Sequence, residues 1–280
     1  MVTAMMSPVQ EMTNPGGVLI LGCGDLGMRV RRRLLAQGIP VTGIRRHAQA
    51  GDGLIAGDAA DPAMWDQLPG GPWRAALLSA TPGLRRGRDN GLAAAAALMA
   101  RRLPDARLVY SGTTSVYGGI AGTLDEDSPV DRTDPAIVGL LAIEQTLGTH
   151  RDSLVLRFPA IVGAGRNRVR NRLLAGDYTV TGDLDKPFNF IHHEDAAALC
   201  VEALLGCGGT GVVNAVAPFE VSMREYYAAH ALAVGVDPAL LTGELPGERV
   251  NAAARLVRSN RFDQRFSPRP WRYFDDPDAR

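Results

Sequence analysis

Short apolar runs alternate with segments of helical periodicity along the first two thirds of the chain. The apolar runs predict strands at residues 18–21, 40–44, 53–56, 75–79, 108–111 and 154–158. The segments between them predict helices at residues 26–37, 62–68, 90–102 and 135–148. Parallel strands that alternate with helices are joined by right-handed crossovers. The pattern therefore predicts an α/β fold with a doubly wound parallel sheet of the Rossmann type and a small C-terminal substrate-binding lobe.

Glycines mark the junction between the first predicted strand and the first predicted helix. The sequence there reads Val18-Leu-Ile-Leu-Gly22-Cys-Gly24-Asp-Leu-Gly27. In a Gly-x-Gly-x-x-Gly turn, the first glycine permits the tight bend, the second lets a pyrophosphate approach, and the third packs helix on strand. The helix N-terminus then offers free N–H groups to the phosphates. The cofactor-binding residues expected in this turn are Gly22, Cys23, Gly24, Asp25, Leu26 and Gly27.

The ends of the next strands bear on which dinucleotide binds. Arg45 and Arg46 follow the second strand, about twenty residues after the glycine turn, where an NAD site has an acid and an NADP site an arginine. The alternative is a solvated strand end, but the missing acid favours NADP. Asp58 could accept from the adenine amino group or cap the next helix, for which Asp61 is better placed. Ala80 and Thr81, after the fourth strand, complete this side of the predicted cofactor site.

Composition narrows the classes of partner. The chain is 46% hydrophobic with a formal net charge of +0, which suggests a small-molecule substrate and neither nucleic acid nor a membrane surface. Its cysteines, Cys23, Cys200 and Cys207, are unclustered and lack metal-ligand spacing. We therefore expect no metal, reduced thiols and a cytoplasmic location. No apolar run approaches the ~20 residues of a membrane span.

The regular alternation of strands and helices divides the chain into three parts. Residues 1–17 have neither the cationic start nor the apolar core of a signal peptide and are predicted to be a disordered leader. Residues 18–162 are predicted to form the dinucleotide-binding core. The alternation degrades from about Gly163, so residues 163–280 are predicted to mix sheet completion with the substrate-binding lobe. Residues 118–134 and 163–172 are predicted to be loops.

Several motifs together resemble one family. The segment Thr113-Thr-Ser-Val-Tyr117-Gly118 is the most specific of them, and it accompanies the glycine turn and Gly57-Asp58. Further matches span residues 156–166 and 190–195. With these motifs the chain resembles the extended short-chain dehydrogenases/reductases of the NAD-dependent epimerase/dehydratase type. The resemblance covers most of the chain from Val18 onward.

The resemblance implies roles for individual residues. Thr113 would polarise a substrate carbonyl, and Pro159 would lie beside the nicotinamide. His192 would help to close the substrate side. Members that bind nucleotide sugars often carry an arginine four residues before that histidine, where this chain has Phe188. The acid pair of the family's sugar dehydratases is replaced by Thr114 and Ser115, which argues against nucleotide-sugar dehydration.

The chain departs from the family at its redox acid. The Tyr-x-x-x-Lys pair of the family falls on Ala136 and Leu140, if Glu144 is the glutamate of the same helix. The sole lysine is Lys186, and Gly182 stands four residues before it, so no such pair occurs anywhere. An atypical branch of the family also lacks this pair, and the chain is most similar to that branch.

Other groups could supply the missing chemistry. Tyr117 is the nearest phenol, although it is usually structural in the family, and His192 could act as acid or base near neutral pH. Adjacent residues of an extended segment alternate, so only one of His192 and His193 is expected to face the pocket, and His193 is a further candidate there as a substrate-binding residue. Glu144, on the helix that normally carries the acid, is expected to be solvated or to cap that helix.

An arginine-rich segment points to the charge of the substrate. Arg166 and Arg170, within a run of alternating arginines, either favour an anionic substrate or serve solubility alone.

The sequence is compatible with three functions. The first is an NADP(H)-dependent oxidoreductase or epimerase acting on a small carbonyl, imine or alcohol. The second is a redox-inactive NADP-binding sensor or regulator. The third is a lyase or cyclase that reuses the pocket, with His192 as base. The assembly is also open, with a homodimer as one candidate.

Overall fold

The computed structural model describes residues 16–49, 53–80, 83–84, 87, 89–163, 168–217, 220–244 and 254–261. Its strands are β1 (Gly17–Leu21), β2 (Val41–Arg45), β3 (Ile55–Ala56), β4 (Trp73–Leu78), β5 (Arg107–Thr113), β6 (Gly122–Leu124), β7 (Ser153–Phe158), β8 (Ala160–Val162), β9 (Thr179–Thr181), β10 (Phe190–His192), β11 (Gly211–Asn214), β12 (Thr242–Glu244) and β13 (Arg255–Val257). Its helices are α1 (Asp25–Ala36), α2 (Pro62–Asp66), α3 (Leu92–Arg102), α4 (Pro135–Gly148), α5 (Arg168–Leu174), α6 (His193–Leu204) and α7 (Met223–Ala233).

Seven parallel strands form the central sheet, in the order β11-β7-β5-β4-β1-β2-β3. In its register Leu19 of β1 lies opposite Thr42 on one side and Ala76 on the other. The chain runs outward from β1 in one direction and then returns to β4, on its other side. This reversal opens a crevice beyond the carboxyl ends of β1 and β4, where doubly wound folds bind their ligands. The predicted fold class is confirmed.

Both faces of the sheet are buried, which explains the continuous apolar runs in the sequence. Val18 and Ile20 pack with α1 and α6 in one cluster. Leu19 and Leu21 point the other way and pack with residues of α2, α3 and α4. The period-two alternation of a strand thus feeds two separate cores, one on each side of the sheet.

Helix starts follow local capping signals. Asp61 caps α2 and Asp134 caps α4, and each is followed by a proline at the first helical position. The bounds predicted for α4 are confirmed, and α1 begins one residue earlier than predicted. None of the helices in the described ranges has the length and apolar composition that crossing a membrane requires.

The second half of the chain completes the sheet and adds a lobe. Helix α6 and strand β11 belong to the central layers, and β11 pairs with β7. The lobe contains α5, α7 and the parallel pair β9–β12, around Leu173, Val180, Leu184 and Met223. A second parallel pair joins β8, which follows β7 of the central sheet, to β10, which precedes α6.

Two loop predictions were wrong. Helix α5 occupies part of residues 163–172, and β6 lies within residues 118–134. Strand β6 has only three residues and pairs with β13, far along the chain, so no local periodicity could reveal it. Of the predicted leader, residues 1–15 lie outside the described residues, and β1 begins at Gly17.

Candidate functional site

A cavity of about 320 Å³ lies at the carboxyl ends of the central strands, beside the switch in strand order. Its lining residues come from the ends of β1, β2, β3 and β4 and from the start of α3. They are Gly22, Gly24, Ile44, Arg45, Arg46, His47, Gly57, Asp58, Ala59, Ser79, Ala80, Asn90, Leu92 and Ala95. The residues predicted to bind a dinucleotide therefore meet in part at one cavity.

The three glycines of the turn differ in how much room the surrounding backbone leaves for a side chain. Gly22 has a φ of +94°, and a Cβ there would lie 2.7 Å from the Ala80 nitrogen. A Cβ on Gly27 would lie 2.8 Å from the Gly22 carbonyl oxygen. By contrast, a Cβ on Gly24 would meet nothing within 4 Å. The fold thus requires the first and third glycines, whereas the second faces open space at the cavity.

The other residues of the turn shape it without lining the cavity. Cys23 is buried against Gly43, and burial raises the pKa of its thiol to about 11. Leu26 is buried in the core cluster around α1. Asp25 opens α1 and accepts a hydrogen bond from Arg29 Nε at 3.0 Å. Their predicted cofactor contacts would therefore be made by backbone groups.

The charged residues at the strand ends face the cavity. Arg45 and Arg46 are both exposed and line it. Neither side chain forms a hydrogen bond or ion pair with another described residue. Asp58 also lines the cavity, and its Oδ1 accepts from the Ala60 N–H at 3.0 Å, whereas Asp61 caps α2.

Of the remaining predicted binding residues, Pro159 and Arg170 are described and are not among those that line this cavity. Pro159 stands half-buried between β7 and β8, and Arg170 is half-buried on α5. Thr81 and Arg166 lie outside the described residues.

Thr113 ends β5 at the same edge of the sheet. It is half-buried, and its Oγ1 accepts from the Ser115 N–H and donates to Ser115 Oγ, both at 3.1 Å. These two bonds fix the hydroxyl at the start of the short 3₁₀ helix Thr114–Tyr117. The hydroxyl therefore has a defined direction before any ligand binds.

Tyr117 is fully buried, which corrects its prediction as a proton donor. Its hydroxyl donates toward the Asp125 carbonyl oxygen at 2.7 Å and Asn214 Oδ1 at 3.0 Å. It also accepts from Arg157 at 3.1 Å. Burial raises the pKa of the phenol. Because the hydroxyl is engaged inside the protein, Tyr117 orders the loop after β5 and does not face an open cleft.

Glu144 is buried and paired, and the expectation that it is solvated is wrong. Arg157 of β7 donates to both of its carboxylate oxygens, at 3.1 Å and 2.7 Å. Both side chains are less than a tenth exposed. The pair links α4 to the sheet and, through Arg157, to Tyr117. We call Glu144, Arg157, Tyr117 and Asn214 the buried network.

Helix α4 presents no replacement for the absent tyrosine and lysine. Leu140 is buried in an apolar cluster with Val116, Tyr117 and Ile137. Ala136 is half-buried near the start of the helix. The face of α4 that carries Ala136 and Leu140 is thus apolar.

His192 and His193 lie together, so the expectation that they face opposite ways is wrong. Strand β10 ends at His192 and α6 begins at His193, and the ring centroids are 4.3 Å apart. A Cβ on Gly163 would lie 2.6 Å from His193 Nδ1 and 2.9 Å from His192 Nε2. The change from strand to helix turns both rings toward Gly163.

The two histidines differ in environment. His192 is also buried, at 6% exposed, and caps α6, since its Nδ1 accepts from the Glu194 N–H at 3.4 Å. His193 is 1% exposed, and burial lowers its pKa to about 4, with His192 and Arg29 acting in the same direction. His193 is therefore neutral at pH 7 and, being buried, does not line an open substrate pocket, contrary to prediction.

Sequence reasoning missed several residues of the cavity, among them His47, Ser79 and Asn90. A signal was available for two of them. His47 directly follows Arg45 and Arg46, and Ser79 follows β4, so both stand where parallel strands end. Asn90 precedes α3 and carried no comparable signal.

Sequence comparisons give a partial match. No protein-family model matches the chain. Protein YeeZ of Escherichia coli (strain K12) is 29% identical over 144 residues, and YeeZ of Escherichia coli O157:H7 gives the same figures. The match spans 50% of this chain and 50% of YeeZ, so the chain spans about half the length of the curated relatives it matches.

Solved structures share the fold over most of their length. MoeE5 in complex with UDP-glucose and NAD has a TM-score of 0.74 at 21% identity, covering 92% of this chain and 96% of its own. WbmH of Bordetella bronchiseptica in complex with NAD+ has 0.72 at 22% identity, covering 88% and 90%. UDP-N-acetylglucosamine 4-epimerase from Bacillus cereus has 0.67 at 16% identity, covering 87% and 89%. At these identities the likeness concerns the fold.

Proposed function

We propose that the protein is an NADP(H)-dependent oxidoreductase or epimerase of the atypical extended short-chain dehydrogenase/reductase group. Its substrate would be a small carbonyl, imine or alcohol. The observation that carries the proposal is the cavity of about 320 Å³ at the carboxyl edge of the sheet, which Gly24, Arg45 and Arg46 line together.

The cavity supports a dinucleotide in two respects. Gly24 leaves open space where a side chain would otherwise stand, as a close approach of pyrophosphate to the backbone requires. The N-terminus of α1 directly follows it and provides N–H groups and a positive dipole end for the phosphates. MoeE5 and WbmH, which share the fold, are described in complex with NAD.

The arginines favour NADP(H) over NAD(H). Arg45 and Arg46 replace the acid that would accept from a ribose 2′-hydroxyl, and guanidinium groups match phosphate oxygens bidentately. Since neither guanidinium group has a hydrogen-bonding partner among the described residues, a 2′-phosphate would compete with no existing side-chain hydrogen bond.

The proposed chemistry places a substrate oxygen at Thr113. The bound dinucleotide would supply or accept the hydride. Thr113 would keep the bond that its Oγ1 accepts from the Ser115 N–H and would turn its O–H from Ser115 Oγ to the substrate oxygen on which negative charge develops. His192 remains the leading candidate for proton transfer, and Arg166 and Arg170 would favour an anionic substrate.

A redox-inactive NADP-binding protein is the second candidate. The apolar face of α4 favours it, since Leu140 is buried where the family has its lysine and Tyr117 is engaged inside the fold. Such a protein would keep the cofactor site and lack turnover. A panel of carbonyl, imine and alcohol substrates distinguishes the two, because only the first candidate oxidises NADPH or reduces NADP+.

Cofactor preference is the direct test of the proposed function. Titration of the full chain with NADPH and NADH should give a clear preference for NADPH. Arg45→Ala and Arg46→Ala should each cost NADPH about 1.5–3 kcal/mol, the value of a hydrogen bond to a charged group. The affinity for NADH should stay the same, since it lacks the 2′-phosphate.

Arg101→Ala is the matched control. Arg101 is exposed at the end of α3 and does not line the cavity, so its loss makes the same change in net charge without touching the ligand. Equal dissociation constants for NADPH and NADH in the unmodified protein would reject NADP specificity.

A further inference from the structure

His47 lies directly beyond the two arginines at the end of β2. Strand β2 ends at Arg45, and Arg46 and His47 form the turn that follows, with all three residues exposed. All three also line the cavity of about 320 Å³. The chain thus presents three consecutive side chains that carry N–H donors to one cavity.

These donors are not engaged within the protein. The side chains of Arg45, Arg46 and His47 form no hydrogen bond or ion pair with any other residue in the described part of the chain. Elsewhere, by contrast, Arg107 pairs with Asp152 and Arg157 with Glu144. The side chains at the end of β2 are therefore available to a ligand.

The cavity has an excess of positive charge at this end. Among its lining residues are two guanidinium groups and one carboxylate, that of Asp58. One oxygen of this carboxylate already accepts from the Ala60 N–H at 3.0 Å. A lining with this balance favours an anionic group.

We propose that His47 is a third donor to the 2′-phosphate of NADP(H), beside Arg45 and Arg46. The proposal rests on the proposed use of NADP(H) and assigns part of its specificity to a residue that is not an arginine. A phosphate has three terminal oxygens, so two guanidinium groups leave acceptor sites for a further N–H. An imidazole carries at least one N–H donor whether neutral or protonated.

The experiment compares two fragments of the cofactor by titration calorimetry on the full chain. Adenosine 2′,5′-bisphosphate and 5′-AMP share the adenosine and the 5′-phosphate and differ in the 2′-phosphate. His47→Ala should weaken the bisphosphate about tenfold, as expected for one lost hydrogen bond to a charged group, and leave 5′-AMP unchanged. His47→Gln keeps an N–H donor and should recover part of the loss.

Gln49→Ala is the neighbouring control, since Gln49 is exposed two residues further on and does not line the cavity. It should bind both fragments like the unmodified protein. An equal loss for both fragments in His47→Ala would place the ring against the adenine and overturn the proposal, and no loss for either would also overturn it. If the unmodified protein bound both fragments equally, NADP specificity itself would fail, which is a separate result from the His47 variants.

Discussion

The cavity lined by Arg45 and Arg46 and the buried network lie at the same edge of the sheet but differ in how their polar groups are used. In the cavity, the side chains of Arg45 and Arg46 are exposed and make no hydrogen bond or ion pair with another described residue. In the network, Arg157 donates to Glu144 and Tyr117, and Tyr117 reaches Asn214. The two arginine side chains of the cavity thus have no partner among the described residues, whereas the side chains of the network are linked to one another by hydrogen bonds.

This difference separates binding from stability. Uncommitted donors around a cavity contribute little to folding and are available to a ligand. A satisfied network in a buried position rigidifies the fold, and breaking it leaves unpaired groups away from water. Substitutions in the cavity should therefore change affinity with little effect on stability, and substitutions in the network should do the opposite.

The largest expected effect is on the network. Glu144→Gln removes the charge that compensates the buried guanidinium of Arg157, which is 5% exposed. Removing one partner of a buried ion pair costs about 3–5 kcal/mol. We expect the free energy of unfolding, measured by urea denaturation, to fall by that amount, while the folded fraction keeps its affinity for NADPH.

The exposed Glu202 on α6 provides the control for this substitution. Glu202→Gln should change stability by no more than about 0.5 kcal/mol, as is usual at the surface. If Glu144→Gln were equally mild, the buried pair would not stabilise the fold, and the contrast between the two regions would fail.

The second effect is on the cavity. Gly24→Val would place a side chain in the open space where the pyrophosphate approaches. We expect a loss of NADPH affinity of at least about 100-fold by calorimetry, which is about 2.7 kcal/mol. The melting temperature should change little, because a Cβ there meets nothing within 4 Å.

Gly22→Ala is the informative contrast. Its Cβ would lie 2.7 Å from the Ala80 nitrogen at a φ of +94°, so this variant should lose stability as well as binding. Unchanged NADPH affinity in Gly24→Val would show that NADPH does not bind in this cavity.

The sequence revealed the cavity better than the network, for physical reasons. Strands buried on both faces leave apolar runs, and the carboxyl ends of parallel strands meet at one edge, so Gly24, Arg45 and Asp58 could be placed together. The network depends on contacts such as Tyr117 with Asn214, which are 97 residues apart. A buried Glu144 has the same sequence appearance as a solvated one, because burial of a charge is decided by a distant partner.

The prediction for His192 and His193 was wrong for a more local reason. The prediction of opposite faces assumed an extended segment through His192 and His193. The strand ends between them, and element boundaries are the least certain part of sequence-based prediction.

A third effect concerns Tyr117. Tyr117→Phe removes a hydroxyl that lies 2.7 Å from the Asp125 carbonyl oxygen and accepts from Arg157. Buried groups left without a partner cost about 1–3 kcal/mol, so unfolding should become easier by about 2 kcal/mol. NADPH affinity should stay the same. A loss of NADPH affinity without a loss of stability would place the phenol at the ligand and contradict its structural role.

The smallest expected effect is at His193, which belongs to neither region. Asp25 and Arg29 of α1 and Glu194 and His192 of its own segment act on its charge, and burial lowers its pKa to about 4. In the unfolded chain a histidine has a pKa of about 6.5, so between these values the unfolded chain binds more protons. Stability at pH 7 should therefore fall on acidification, by about 1 kcal/mol at pH 5.5 from this group.

His193→Gln tests this by removing the titrating group from the buried position. Its free energy of unfolding should depend less on pH between 7 and 5.5 than that of the unmodified protein, by about 1 kcal/mol. His230 must be separated from it, because burial also lowers the pKa of His230 to about 4. His230→Gln should reduce the pH dependence by a similar amount, and the double variant should add both reductions if the sites are independent. An unchanged pH dependence in His193→Gln would mean that His193 becomes protonated in the folded protein as readily as in the unfolded chain. Its ring would then be accessible to water, in contradiction to its exposed fraction of 1%.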